Sequence, residues 1–320
     1  MTTPLNISAI LNDLQIKSGP YKNGFEVAPN GRLNWYFTNL GLITALPSLS
    51  EVDINALVIP YLTLYIAKVK ADYTIDDVNF PQGRANPSNF TLQPSDSDDS
   101  YASSFIYLVY TTTVCLGDDS FYQTNKAAIE AIATHNLVNN RKANGLTSVF
   151  QYPRRTSYDV GFLMDNCESH LALTSLKTLS GTTAWDASLA SIESGLASLF
   201  SAADQAFLFS DITSTVQHTF YPDATCQIFP QLCEVNSLSS RFDAGWKFLT
   251  KWAPLWDTGI YDSYPWALIG SVAAIRLAGA KSRTQLSYIE GLFVSNRSLV
   301  TINEVGFYAY TTRVLASQGR

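Results

Sequence analysis

The sequence predicts an all-α fold, an (α/α)6 barrel in which six helical hairpins close into two concentric rings, with short strands in its loops. Three observations carry this expectation. Apolar residues recur at helical spacing, or all round, in twelve segments of the 320-residue chain. The segments alternate roughly between almost wholly apolar ones and ones with a single polar side. A helix apolar all round is enclosed by neighbours, whereas an amphipathic one covers it from outside. Repeating that pair around a circle gives an inner and an outer ring. Finally, no Gly-rich or Ser-rich linker and no low-complexity segment divides the chain, so one domain over residues 1–320 is expected.

In chain order, "NISAILNDLQI" opens the series, followed by helices over 31–46 and 51–69. The stretches 99–116, 157–179 and 264–279 are the most apolar and read as inner helices. The stretches 120–138, 184–203 and 283–294 each keep one polar side and read as their outer partners. Helices over 223–235, 240–253 and 303–317 complete the twelve. "TSVFQYP" (147–153) is the candidate strand in a long loop. In such a barrel the loops where the inner helices begin form a cleft, and loops on a rigid scaffold carry binding and chemistry.

Composition narrows the ligand. Only 15% of residues are charged, against 12% aromatic, with 17 Tyr, 17 Phe and 6 Trp. Low charge with many Asn, Ser, Thr and aromatics fits a polar, uncharged ligand. A net charge of −6 without a basic stripe argues against nucleic acid, whose phosphates require clustered cations. No apolar run reaches the roughly 18 residues of a membrane span. "MTTPLNISAILNDL" has neither a basic start nor a long apolar run, so it does not read as a leader. The compartment stays open at this point: cytoplasmic is expected for the chain as written, and secreted if a leader was removed. Cys226 and Cys233 lie seven apart on one predicted helix, roughly 10 Å, too far for a disulfide. They, Cys115 and Cys167 are expected to be buried free thiols. A monomer without cofactor or metal is expected.

Four stretches could carry chemistry. In "PSDSDDSYAS" (94–103), Ser95 or Ser97 is a good N-cap. With Ser95 as cap, Asp98 takes the reciprocal position of a capping box. Asp96 and Asp99 are three apart and share a face. Neighbouring anions raise one another's proton affinity, and raising one carboxyl while its neighbour stays ionised is what acid/base work requires. In "SYDVGFLMDNCESHLAL" (157–173), Asp165, Asn166 and Glu168 are surrounded by apolar residues and are expected to face an enclosed space. His170 reads as a hydrogen-bonded core residue. In "TFYPDATCQIFPQL" (219–232), Asp223 reads as an N-cap, although Tyr221 and Gln227 beside it would suit a polyol site. Lastly, "NWYF" (34–37), "WKFLTKWAPLW" (246–256) and "YDSYPW" (261–266) place Trp35, Tyr36, Trp246, Tyr264 and Trp266 at helix beginnings and loops. With Tyr101, they are candidate platforms for the C–H faces of sugar rings.

The Asp-rich "DSDDSYAS", then "LMDNCE", then "YPDATCQIFP", resemble the six-hairpin glycosidase superfamily. Within it, the cellulase and chitosanase-like inverting hydrolases carry an Asp-x-Asp-x-x-x-Ala motif at a helix start, a spacing matched here by Asp96, Asp98 and Ala102. The resemblance covers most of the chain in pattern but only these short stretches in residues. It implies hydrolysis of a poly- or oligosaccharide, one carboxyl protonating the glycosidic oxygen and another activating water. Under it, one member of the pair comes from Asp96 or Asp99 and the other from Glu168 or Asp223, with Asp165 holding substrate hydroxyls. Asp99→Asn is then expected to abolish turnover and leave folding intact. The chain departs from the family near its N-terminus, where the family's acid lies in a Glu-Gly-x-Gly-Tyr-Gly-like stretch. Here that region reads "NGFEVAPNG", with Glu26 in another context, so the acid is not transferred.

Rival readings have their own discriminators. "DSDD" also fits the Asp-x-Asp-Asp motif of class II terpene cyclases, without their Gln…Trp repeats. As a cation loop, "DSDDS" lacks the Gly and terminal Glu of an EF-hand. A polysaccharide lyase would use tyrosines with Arg154 and Arg155, and a non-catalytic carbohydrate-binding barrel would use none of this chemistry. Hydrolysis yields reducing ends, a lyase an absorbing double bond and a binding barrel neither, while a cyclase ignores sugars.

Overall fold

The computed structural model describes residues 4–319; residues 1–3, the head of the stretch read for a leader, and residue 320 lie outside it. Asn6 opens α1 (Ile7–Leu14) by accepting the Ala9 amide at 3.1 Å. α2 (Trp35–Ala45) follows, and then α3 (Glu51–Asp53) continues through a π turn (Ile54–Val58) into α4 (Ile59–Lys68). After the β1 (Asp76–Asn79) and β2 (Thr91–Pro94) hairpin come α5 (Asp99–Leu116) and α6 (Ser120–Ala133). α7 (Leu163–Ser180) and α8 (Asp186–Ser198) form the next pair, trailed by a two-residue hairpin of β3 (Phe200–Ser201) and β4 (Ala206–Phe207). α9 (Phe229–Leu232), α10 (Phe242–Trp252), α11 (Ala267–Ile275), α12 (Gly279–Ser295) and α13 (Ile302–Ser317) complete the order.

The two-ring reading holds. α5 packs between α2 and α7, α7 against α9, α11 against α13, and α13 closes on α2. α6, α8 and α12 lie outside their partners. Their sequences explain the layering: α6 buries Tyr122, Ile129, Ile132 and Ala133 on one side, while α11 is buried from Ala267 through Ala274. The closing contact needs glycine on both helices. A Cβ on Gly41 would lie 2.6 Å from the Ile302 carbonyl oxygen, and one on Gly306 would strike the Gly41 carbonyl. The two backbones therefore touch directly, a close approach only glycine permits.

Three expectations are corrected. The segment 223–235 is not one helix: a π turn (Phe220–Ala224) precedes the single turn of α9. Pro222 and Pro230 explain the break, since proline lacks the amide and crowds the preceding turn. Cys226 and Cys233 consequently do not share a helix. Both are buried with Cys167, but Cys115 is exposed. "TSVFQYP" forms no strand beyond a single bridge between Thr147 and Arg141. Its backbone is committed elsewhere, with the Val149 amide on the Val160 carbonyl and the Val149 carbonyl taking the Asp98 amide at 2.7 Å.

Candidate active site

All six inner positions send their N-terminal ends to one cavity of about 640 Å³. Asn34 and Tyr36 come from the start of α2, Asp96, Ser97 and Ser100 from that of α5, and Asp165 and Glu168 from that of α7. Tyr221 and Phe229 come from the broken fourth position, Tyr264 and Trp266 from ahead of α11, and Asn303 and Glu304 from α13.

Local chemistry fixes each of these ends. Asn34 caps α2 by accepting the Phe37 amide at 2.8 Å, and its own amide donates to Asp77 at 2.6 Å. At α5 the N-cap position is Asp98, and the first turn is held by Ser97 just ahead of it, whose hydroxyl accepts the Ser100 amide at 3.2 Å and donates to Asp99 at 2.7 Å. Ser95 and Asp98 do not form the expected capping box, because the helix begins only at Asp99. Asp98 instead accepts the Ser95 hydroxyl at 3.1 Å, the Gln151 amide at 2.9 Å and the Arg154 guanidinium at 3.1 Å. It thereby straps the 147–155 loop to the start of α5. Removing Arg154 would leave Asp98 buried without its counter-ion. We expect Arg154→Ala to cost about 1–3 kcal/mol and to speed amide exchange at residues 149–151, read by hydrogen-exchange mass spectrometry. Unchanged exchange would refute the strap.

Asp165 and Glu168 project from the first turns of α7, three apart. Glu168 is buried; one carboxyl oxygen accepts the Tyr36 hydroxyl at 2.7 Å, while the other has no hydrogen-bond partner among the described residues. Burial, with Asp99 adding to it, pushes the Glu168 carboxyl up to about 8. Asp165 is raised well above the usual carboxylate range by burial first and then by Asp99, Glu168 and Asp96, against a hydrogen bond with Ser97. Asp96 lines the same wall and is exposed to the cavity. Across the cavity, burial pushes Glu304 up to about 7, although it accepts the Ala267 amide at 2.6 Å and so caps the neighbouring helix α11.

Of the fourteen residues expected from sequence, seven line this cavity: Asp96, Asp165, Glu168, Tyr36, Tyr221, Tyr264 and Trp266. The others sit behind or away from it. Asp99 is fully buried and accepts the Ser97 hydroxyl, the Ser100 amide and, at 2.7 Å, the Thr147 hydroxyl; burial raises it to about 6. Asn166 accepts the Thr147 amide at 2.6 Å and acts as a splint for that loop. Asp223 accepts the Gln217 amide at 3.0 Å and the Thr219 hydroxyl, holding the 217–223 turn as a cap would. Gln227 bonds both the amide and the carbonyl of Phe207 at 2.8 Å, anchoring β4. Trp35 is core, donating to the Asp76 carbonyl at 2.8 Å, and Tyr101 donates to Asp77 at 3.0 Å. Trp246 lies on outer helix α10 against Trp256. His170 is hydrogen-bonded to Glu193 at 3.0 Å, and Glu26 pairs with Arg84.

Sequence reasoning missed Asn34, Asn303 and Glu304. "TINE" (301–304) has the Thr-x-x-Glu spacing of a capping box, a signal that would have found the helix start. It would have assigned Glu304 to its own helix, whereas the carboxyl crosses to α11.

No protein-family model matches the chain, and no curated protein matches it by sequence. Solved structures do match. A rhamnosidase from Klebsiella oxytoca with rhamnose bound superposes with a TM-score of 0.65 at 12% identity, covering 98% of this chain and 65% of that one. The chain thus spans about two thirds of the rhamnosidase's length. A protein described as a glycosidase, in its wild-type form, superposes at 0.59 with 13% identity, covering 97% of this chain and 95% of that one. A single-residue variant described in the same way gives 0.61 at 14%. By architecture, the chain is a helical barrel of the kind these glycosidase structures have.

Proposed function

We propose that the protein is a glycoside hydrolase whose general acid is Glu168. The observation that carries this reading is the placement of that carboxyl: held by Tyr36 through one oxygen, without a partner among the described residues at the other, and lining the cavity, where burial pushes it up to about 8. A buried acid with a free oxygen is poised to protonate a leaving-group oxygen at neutral pH. The rhamnosidase and glycosidase structures, which share the barrel, support the substrate class.

In the proposed reaction the Glu168 proton passes to the glycosidic oxygen as its bond to the anomeric carbon breaks. Asp96, the exposed carboxylate of the same wall, takes a proton from the water that forms the new bond. Asp165 binds sugar hydroxyls. Asp99 does not touch substrate; it holds the hydroxyl of Ser97, which lines the cavity with Asp165, and is a positioning residue. The aromatic faces of Tyr221, Tyr264 and Trp266 supply stacking surface at the cavity wall.

The test is reducing-end release from a panel of polysaccharides and oligosaccharides by wild type and Asp96→Asn. We expect release by wild type and a loss of about 10³-fold in the variant. An ultraviolet-absorbing product without reducing-end hydrolysis would instead establish a lyase. A variant as active as wild type would remove Asp96 from the mechanism.

A further inference from the structure

The cavity's charge inventory carries a statement about which sugar it takes, and this rests on the glycosidase reading. Among the described residues, four carboxyls line the cavity (Asp96, Asp165, Glu168 and Glu304), and no Lys, Arg or His does. Arg32, two residues ahead of Asn34, acts on Asp77 and is not among the lining residues, and Arg154 and Arg155 are committed elsewhere. Arg154 is paired with Asp98 and lies over the Phe150 ring, and Arg155 is on Asp159 at 3.0 Å and the Asn140 carbonyl at 3.0 Å. Helix N-termini would ordinarily invite an anion. Here six converge, and side chains already face three of them: Asn34 on the Phe37 amide, Ser97 on the Ser100 amide and Glu304 on the Ala267 amide.

Much of the rest of the wall is hydrocarbon, with Leu40, Val149, Met164, Phe209, Leu232 and Phe307 among its residues, beside uncharged polar groups such as Asn34, Ser97 and Asn303. Such a wall penalises any buried ion, of either sign, that lacks a designed partner. The penalty is visible in the protein's own groups, since burial is the largest cause raising Asp165, Glu168 and Glu304. An anionic substituent would find no lining cation to offset that cost, and any of the four carboxyls that is ionised would add repulsion to it.

We infer that the site accepts an uncharged glycosyl unit, recognised by hydroxyl hydrogen bonds and apolar contact, and rejects uronates and other anionic sugars. Polysaccharides built from uronic acids are therefore not its substrates.

The experiment is an NMR titration of the full chain with matched monosaccharides differing in one group: glucose, glucuronate and glucosamine, and the galactose and mannose sets, with rhamnose as a further uncharged probe. The expected result is binding of at least one uncharged sugar, with its uronate weaker by about 100-fold. A uronate that binds within tenfold of its uncharged counterpart, or more tightly, overturns the inference and leaves the glycosidase reading standing. A hexosamine that binds more than tenfold tighter than the neutral sugar also overturns it, in favour of a cationic class. If no sugar of any charge binds, the carbohydrate reading falls first and the inference falls with it.

Discussion

Replacing Glu168 by Gln is expected to lower turnover of a natural glycan by about 10³-fold while sparing an aryl glycoside whose phenol leaves without protonation. Glutamine preserves the size and the Tyr36 contact but has no proton to give. A poor leaving group exposes that deficit, and a good one hides it. Equal losses on both substrates would mean that Glu168 does not act as the acid. The wild-type rate should also fall as pH rises through about 8, the value to which burial pushes this carboxyl, and the variant should lose that limb. The same group carries a stability signature. Its folded form holds the proton far above the ordinary glutamate value near 4.3, so the native state binds more protons than the unfolded chain between those values. Stability from this group is full below about pH 4, declines as pH rises, and is lost above about 8. Glu168→Gln should match wild type near pH 4 and exceed it at pH 9, by on the order of 2–4 kcal/mol, read by chemical denaturation.

Gly306→Val is the second large effect. Its new side chain would drive into the Gly41 carbonyl and the Thr44 hydroxyl, on the helix that closes the ring. Backbone cannot yield as a side-chain tip can, so we expect at least ~3 kcal/mol of destabilisation and a fall in Tm of roughly 6 °C or more. Gly291 on outer helix α12 is the control, because a Cβ there meets nothing within 4 Å. Gly291→Ala should stabilise by about 0.5–1 kcal/mol through helix propensity. A Gly306→Val protein with wild-type Tm would mean that the ring closes without this contact.

The barrel was legible because its signal is collective. Alternation between segments such as 99–116 and 120–138 reports burial directly, and twelve repeats average out local errors. The site was legible in part for the same reason: Asp165 and Glu168 stand among apolar neighbours, and in a ring of helices that pattern marks a wall. What failed was the direction of individual side chains. Asp96 and Asp99 share a helix face by spacing, yet the first is exposed to the cavity and the second is fully buried, bonded by the hydroxyls of Ser97 and Thr147. Thr147 arrives from a loop almost fifty residues away, which no local pattern reveals. Glu304 was hidden in a converse way. Its spacing has a sufficient local explanation, and only the neighbouring helix shows that its carboxyl is used elsewhere.

The contact between Gly41 and Gly306 also sets an order of events during synthesis. α2 leaves the ribosome long before α13, the helix that completes its packing. Until then α5, α7 and α11 have been made but stand in an open arc, with apolar surface that only a finished circle can cover. Folding of long chains commonly proceeds through such exposed intermediates, and non-local contacts slow it. The nascent barrel is accordingly expected to lean on chaperones until α13 has emerged, and to become protease-resistant in a single step when the ring closes.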